Sequence, residues 1–193
     1  MAVLKKMGFG ERWIKWIEWR ISTMKFSILI NGSPSDFFQS SRGLRQGDPL
    51  SPYLFVIVME VFSCFLRRTI SGGFLSGWRV RGRSGEGVQI SHLLFADDTL
   101  VFCEESLDQM TYLSWLLMWL EVCSGLKINL EKSELIPVGR VHDIEGLALE
   151  LGCKVGGLPS CYLGFPLGAP FKSMAVWDEV KERFRRRLAM WKR

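Results

Sequence analysis

The spacing of apolar residues predicts two helices in the first half of the chain, over residues 12–24 and 48–69. The second would begin at Asp48-Pro49, because Asp can cap free backbone amides and Pro fits a first helical turn. Apolar residues occupy several of its faces, so we expect it to be a central helix. Three further helices are predicted over residues 106–123, 141–151 and 174–193.

Short runs of β-branched and aromatic residues predict two hairpins. Residues 25–30 and 35–40 flank Asn31-Gly32, which is a strong hairpin signal. Residues 88–96 and 99–103 form a second pair, interrupted by Asp97-Asp98. Residues 78–87 are predicted to be a polar turn rich in glycine. A short strand is predicted to end near Pro137, and residues 158–170 are predicted to be a loop with strand character.

This order of helices and hairpins predicts an α+β fold. The helices alternate with hairpins rather than with single parallel strands, and the chain shows no internal repeat. We therefore expect an antiparallel sheet with helices packed on one face.

Composition and charge narrow the class of protein only slightly. The 193 residues are 48% hydrophobic, which excludes a disordered chain and allows one or two compact domains. The net charge of +5 weakly favours polyanionic partners. The longest apolar run, residues 53–66, contains Glu60 and is too short to span a membrane, so we expect no membrane partner. No secretory signal is evident at the start of the chain.

The cysteines and histidines do not have metal-binding spacing. Five cysteines are scattered without a C-x-x-C pair, and only two histidines, His92 and His142, are present. A zinc site is not predicted. The pattern is typical of reduced cysteines in an intracellular protein, and it leaves the choice between nucleus and cytoplasm open.

The acidic pair Asp97-Asp98 is the strongest candidate for chemistry. Burying a carboxylate without a partner is costly, whereas the tip of a hairpin exposes it. Adjacent strand residues face opposite ways, so only one Asp shares the face of Phe95, and that one is Asp97 if the first strand stays extended. A carboxylate held this way suits a divalent metal. The alternative is a plain polar turn, in which Asp is common.

Four blocks of the sequence together resemble a known family. They are ING with GLRQGDPLSPYLF, HLLFADDTLVF, GLKINLEKSEL and YLGFPLG, in that order. The chain resembles the reverse transcriptases, or RNA-directed DNA polymerases, of non-LTR (LINE-type) retrotransposons, and a plant-type element in particular. The resemblance implies a polymerase palm over residues 1–168 and the start of a thumb or connection helix over residues 169–193.

The resemblance also implies a reaction and its partners. The family uses two metal ions, Mg²⁺ or Mn²⁺, for nucleotidyl transfer. Its partners are an RNA template, a DNA primer and deoxynucleoside triphosphates. By this match Asp97 would be the main metal ligand and Asp98 the supporting one, with Phe95 and Ala96 near the primer terminus.

Further residues acquire roles from the same match. Gln46 and Gly47 would lie against a base pair, because glycine permits close approach of the backbone. Lys132 would lie near the triphosphate and could protonate the leaving pyrophosphate, although a solvated lysine explains it nearly as well. Asp48 is interpreted as a helix cap. The segment 162–168 resembles the part that grips the primer, and an apolar loop covering the core is an equal alternative.

Basic and aromatic residues give weaker signals. Arg79, Arg81 and Arg83 alternate in one loop and could contact phosphates. The arginines of the last helix could do so too, but a solvated helix face is the commoner meaning of such a run. Tryptophans at helical spacing are predicted to be core residues; they are Trp13, Trp16, Trp115 and Trp119.

One block of the family is not found in the chain. The family's first catalytic carboxylate lies in an upstream F-x-x-D block, and this sequence begins beyond it, so an N-terminally truncated product is expected. We therefore expect the isolated chain not to polymerise DNA. Two alternatives remain: a remnant that binds nucleic acid without catalysis, and a decayed retroelement product without function.

Overall fold

The computed structural model describes residues 2–39, 44–45, 47–81, 87–170 and 173–191. The chain divides into two compact units, residues 1–65 and 66–193. The helices are α1 (Ala2–Lys6), α2 (Glu11–Ser22), α3 (Ser51–Ser71), α4 (Leu107–Ser124), α5 (Ile144–Leu151) and α6 (Asp178–Trp191), the last preceded by a 3₁₀ turn at Ala175–Trp177.

The strands are short and pair in twos. In chain order they are β1 (Lys25–Phe26), β2 (Leu29–Ile30), β3 (Ser33–Pro34), β4 (Phe38–Gln39), β5 (Trp78–Arg81), β6 (Gly87–Ile90), β7 (His92–Phe95), β8 (Asp98–Val101), β9 (Glu134–Leu135), β10 (Lys154–Val155), β11 (Ser160–Tyr162) and β12 (Phe165–Leu167). Five pairs within the described residues are antiparallel, and β9–β10 is parallel.

The mixture of helices and strands confirms the predicted α+β class. The larger antiparallel sheet of a palm is not observed, because the described strands form only two-stranded sheets. Three other local predictions were wrong. The segment at Trp78 begins with strand β5 instead of a turn, and the strand predicted over residues 88–96 is divided at Ser91 into β6 and β7. The strands predicted over residues 25–30 and 35–40 are replaced by the four short strands β1 to β4.

The first unit is built around α2. Leu4, Ile14 and Ile17 form its buried cluster, and neighbouring apolar side chains pack on that cluster. The Asn31-Gly32 turn forms as predicted between β2 and β3, with φ of 50° and 84°, which two-residue hairpin turns require. The side-chain amide of Gln39 donates to the carbonyl of Ser22 at 2.6 Å, which ties β4 to the end of α2.

The second unit has its core along α4. This helix is apolar around its circumference, and the residues buried on one side are Met110, Leu113, Leu116 and Leu120. Leu147 and Ala148 of α5 are buried too. Asp143 caps α5 by accepting the backbone N–H of Gly146 at 3.0 Å, and Gly125 and Gly152 end α4 and α5 with φ near 75°.

The prediction that the tryptophans are core residues was wrong for three of the four. Trp16 is 59% exposed, Trp115 53% and Trp119 57%, whereas Trp13 is half-buried and stacks on Phe9 at 4.5 Å. Helical spacing shows that these side chains share faces but not which face is covered. In α4 the covered side is formed by Met110, Leu113, Leu116 and Leu120.

None of the helices in the described ranges is both long and apolar enough to cross a membrane.

Candidate active site

The acidic pair lies at the end of the β7–β8 hairpin. The strands pair antiparallel, with Leu94 opposite Thr99 and Phe95 opposite Asp98. Ala96 and Asp97 are therefore the two turn residues. Ala96 has a φ of 49°, in the left-handed region that a two-residue hairpin turn uses and that Ala seldom adopts.

This register changes which carboxylate shares a face with Phe95. The expectation that Asp97 does so required the first strand to remain extended, and β7 ends at Phe95. Residues directly opposite on paired strands project to the same face, so Asp98 is the carboxylate beside Phe95. Asp97 lies in the turn instead.

Both carboxylates are exposed, as a hairpin tip requires. Phe95 is 60% exposed and Leu93 45%, so the β7 side of the face that carries Asp98 is open, whereas Leu100 of β8 is half-buried. Carboxylate oxygens are the ligands that Mg²⁺ and Mn²⁺ prefer. Across the described residues no three His, Cys, Asp or Glu side chains come together as a potential metal cluster. The hairpin thus offers two suitable donors.

The base of the hairpin is held by several polar contacts. The N–H of Phe102 donates to the carbonyl of Ser91 at 2.8 Å, which extends the pairing beyond the strands. Ser91 Oγ lies 2.7 Å from Nδ1 of His92. Cys103 follows, and burial raises the pKa of its thiol to about 11, so this cysteine is a neutral packing residue.

Glu105 joins the hairpin exit to the loop before α5. Its Oε1 accepts the backbone N–H of His142 at 2.5 Å and lies 3.1 Å from Nδ1 of the same residue. The backbone hydrogen bond is the main reason that the pKa of Glu105 lies below its ordinary value. Sequence analysis did not single out this pair, because the two residues are far apart in the chain.

The loop before α3 lies in the first unit. Gln46 falls outside the described residues. Gly47 has a φ of 87° and open space where a side chain would project, so only glycine fits without strain.

Asp48 accepts the N–H of Leu50 at 2.9 Å, and its side chain, 7% exposed, lies 3.5 Å from the guanidinium of Arg20. These contacts support its interpretation as a cap.

Lys132 lies in the turn that precedes β9. Its backbone N–H donates to the carbonyl and to the side-chain oxygen of Asn129, both at 3.1 Å. Its side chain is exposed. The turn is therefore organised by Asn129, which leaves the ammonium group of Lys132 on the surface.

The predicted arginine loop is partly a strand. Arg79 lies opposite Gln89, and Arg81 opposite Gly87, in the β5–β6 pair. A Cβ at Gly87 would come within 2.9 Å of Cγ of Arg79, so the Arg79 stem lies across this glycine. Arg79 is exposed. Arg83 falls outside the described residues.

Helix α6 carries the second basic group. Lys181 pairs with Asp178 at 2.9 Å, and Arg186 pairs with Glu182 at 3.2 Å. For the other arginines of α6, the described part of the chain shows no ion pair; they are Arg183, Arg185 and Arg187. Lys192 and Arg193 lie outside the described residues.

The β11–β12 hairpin packs beside the start of α6. Its turn residues Leu163 and Gly164 have φ of 53° and 79°. The guanidinium of Arg183 is 2.8 Å from the point where a Cβ on Gly164 would lie, and the rings of Phe165 and Trp177 are 6.4 Å apart. The segment that resembles a primer grip is therefore a hairpin with an arginine over its turn.

Comparison with known proteins identifies the class. The family model "Reverse transcriptase (RNA-dependent DNA polymerase)" matches residues 1–167. The Pol polyprotein of the type-1 retrotransposable element R2 of Popillia japonica is 31% identical over 136 residues, which are 70% of this chain and 18% of that protein. The type-2 element R2DM of Drosophila melanogaster is 33% identical over 102 residues, 53% of this chain and 8% of that polyprotein.

A plant protein is similar over a shorter stretch. An uncharacterized mitochondrial protein of Arabidopsis thaliana is 55% identical over 72 residues, 37% of this chain and 57% of that protein. The chain spans less than two thirds of each of these relatives. No solved structure matches it.

The chain belongs to the reverse transcriptase family, because the family model covers most of its length. The predicted resemblance to non-LTR retrotransposon enzymes is confirmed by the R2 relatives.

Replacing Ala96 by Gly is expected to raise the free energy of unfolding by up to about 1 kcal/mol, because glycine adopts this positive φ without steric cost. The measurement is urea denaturation. Ala189→Gly, in the regular helix α6, is the control and should destabilise by up to about 1 kcal/mol. Equal destabilisation by both variants would contradict the left-handed conformation of Ala96.

Proposed function

We propose that the β7–β8 hairpin supplies metal-binding carboxylates for RNA-templated DNA synthesis. The observation that carries this proposal is a pair of exposed acids at one hairpin tip, Asp97 in the turn and Asp98 at the start of β8, in a chain of the reverse transcriptase family. When bound, two divalent cations would activate a primer hydroxyl and neutralise the triphosphate. The donor set fits them, because both carboxylates are solvated and held by ordered strands.

The two acids have different roles in this proposal. Asp97, in the turn beyond the last strand pair, would be the main ligand. Asp98, which lies opposite Phe95, would be the supporting ligand. Phe95 and Ala96 would then lie against the primer terminus.

Other parts of the chain supply substrate contacts in this proposal. Gly47, whose φ only glycine tolerates well, would let the backbone beside Gln46 approach a base pair. The exposed ammonium of Lys132 would lie near the triphosphate and donate a proton to the leaving group. Residues 1–168 would form the partial palm and residues 169–193, with α6, the beginning of the thumb.

The hairpin by itself does not complete a two-metal centre. Each Mg²⁺ requires six ligands in near-octahedral geometry, and substrate and water provide only part of them. Asp97 and Asp98 would supply only part of the oxygen donors that two such cations need, and across the described ranges no third His, Cys, Asp or Glu side chain joins them in a cluster. We therefore infer that the chain alone does not polymerise DNA.

A primer-extension assay on an RNA template with Mg²⁺ or Mn²⁺ is expected to show no incorporation by the chain alone. A chimera in which the upstream part of the Popillia japonica Pol polyprotein is joined to this chain should extend the primer if that part supplies the further acid. Asp97→Asn in that chimera should lower the rate by at least about 100-fold, since a metal ligand is lost.

Asp36→Asn is the matched control in the chimera, because Asp36 is an exposed carboxylate beside a different hairpin. It should leave the rate within about twofold of the parent, as surface changes away from the chemistry usually do. Robust incorporation by the chain alone would contradict its predicted inactivity. An Asp97→Asn chimera as active as the parent would contradict the metal role.

A second candidate function is nucleic-acid binding without catalysis. Arg183, Arg185 and Arg187 of α6 favour it, because they form no ion pair within the described ranges and their guanidinium groups are available for phosphate. Arg79 on β5 provides a further exposed cation in the same unit.

The chain is expected to bind a labelled RNA–DNA hybrid with an affinity that falls steeply with salt. The double variant Arg185→Gln/Arg187→Gln should reduce the magnitude of the slope of log K against log salt by about 1–2, since each phosphate contact contributes nearly one unit. Arg186→Gln is the control and should change the slope less, because Glu182 already pairs with Arg186. Binding that does not change with salt would contradict this function.

A further inference from the structure

One amide side chain connects two distant points of the second unit. Oε1 of Gln109 accepts the backbone N–H of Ser76 at 3.1 Å and that of Glu104 at 3.2 Å. Nε2 of Gln109 donates to Oγ of Ser76 at 3.0 Å. Three hydrogen bonds thus converge on a half-buried group at the start of α4.

These contacts join the two ends of the segment that carries the candidate site. Ser76 precedes β5 and Glu104 follows β8, so the stretch between them includes the β5–β6 and β7–β8 hairpins. The surroundings of the contact are firmly packed, because Leu75 is 3% exposed and Met110 1%. Gln109 therefore joins the two ends of the segment between Ser76 and Glu104 beside the buried residues Leu75 and Met110.

Capping of α4 does not explain the hydrogen bonds that Gln109 makes. Ser106 and Gln109 have the spacing of a capping box, in which the glutamine would reach back to the N-cap amide. Ser106 makes no side-chain cap bond, and the Gln109 amide is directed to Ser76 and Glu104 instead. The capping box therefore does not form, and Gln109 instead bonds the segments before β5 and after β8.

We propose that Gln109 is a positioning residue for the acidic hairpin. The inference rests on the proposed metal role of Asp97 and Asp98. Both acids are exposed, so burial cannot fix their place, and their position depends on how the hairpin base is held. Because the backbone N–H groups of Ser76 and Glu104 bond to one oxygen, the residue before β5 and the residue after β8 are held close together.

The test compares Gln109→Leu with Gln109→Glu. Leucine removes all three hydrogen bonds at similar volume, whereas glutamate keeps an oxygen for both N–H donors. Gln39→Leu is the matched control, because it removes a glutamine–backbone hydrogen bond in the first unit. The first readout is deuterium exchange of the peptides that contain Ser76 and Glu104. The second is cleavage of the backbone by Fe²⁺ with ascorbate. In this second experiment Fe²⁺ takes the place of Mg²⁺ and cleaves the chain beside its binding site.

In Gln109→Leu, exchange at both peptides should quicken by roughly tenfold. Half-maximal cleavage at the hairpin should need roughly tenfold more Fe²⁺, because contacts that support metal ligands commonly have effects of this size. Gln109→Glu and Gln39→Leu should behave as the wild type. If Gln109→Leu does not fold, Ser76→Ala, which removes only the hydroxyl contact, should show smaller changes in the same directions.

The results separate this inference from the proposed function. Wild-type cleavage that requires Asp97 and is unchanged in Gln109→Leu would overturn the positioning role. An absence of hairpin cleavage in the wild type would overturn the metal role itself. In that case the exchange data still decide whether Gln109 holds the segment: faster exchange supports it, and unchanged exchange overturns it.

Discussion

The cost of burying a carboxylate determines where the β7–β8 strands turn. Apolar residues lie on both sides of Asp97 and Asp98, and a continuous strand would carry one of the acids into a covered face. The chain reverses at Ala96 and Asp97 instead, and Ala96 accepts a left-handed φ so that the turn needs only two residues. The exposure of the acids and the place of Asp98 beside Phe95 both follow from that turn.

A site exposed in this way depends on what holds its base. Phe102 continues the strand pairing to Ser91, Glu105 accepts the amide of His142, and Gln109 joins Ser76 to Glu104. These bonds connect the hairpin to the segments around α4 and α5, which form the core of the second unit. The carboxylates are thus solvated while the backbone beneath them is hydrogen-bonded, which the proposed metal role would require.

Sequence reasoning succeeded where a local rule determines the structure. Asn31-Gly32 forms its hairpin because both residues tolerate positive φ, and Asp48 caps because its carboxylate reaches the N–H of Leu50. It failed where the outcome depends on distant partners. Gln109 and Glu105 bond to residues more than 30 positions away, and the covered side of α4 depends on what packs there, which helical spacing does not indicate. The expectation that Asp97 shares the face of Phe95 was wrong for another reason: β7 ends at Phe95, and a turn placed one residue earlier or later exchanges the faces.

The register of the β7–β8 turn is the central claim, and nuclear Overhauser contacts measure it directly. The account predicts cross-strand contacts between Phe95 and Asp98 and between Leu93 and Leu100, with Ala96 showing the coupling of a positive φ. Cross-strand backbone contacts that pair Ala96 with Thr99, or a helical pattern through Asp97, would contradict it.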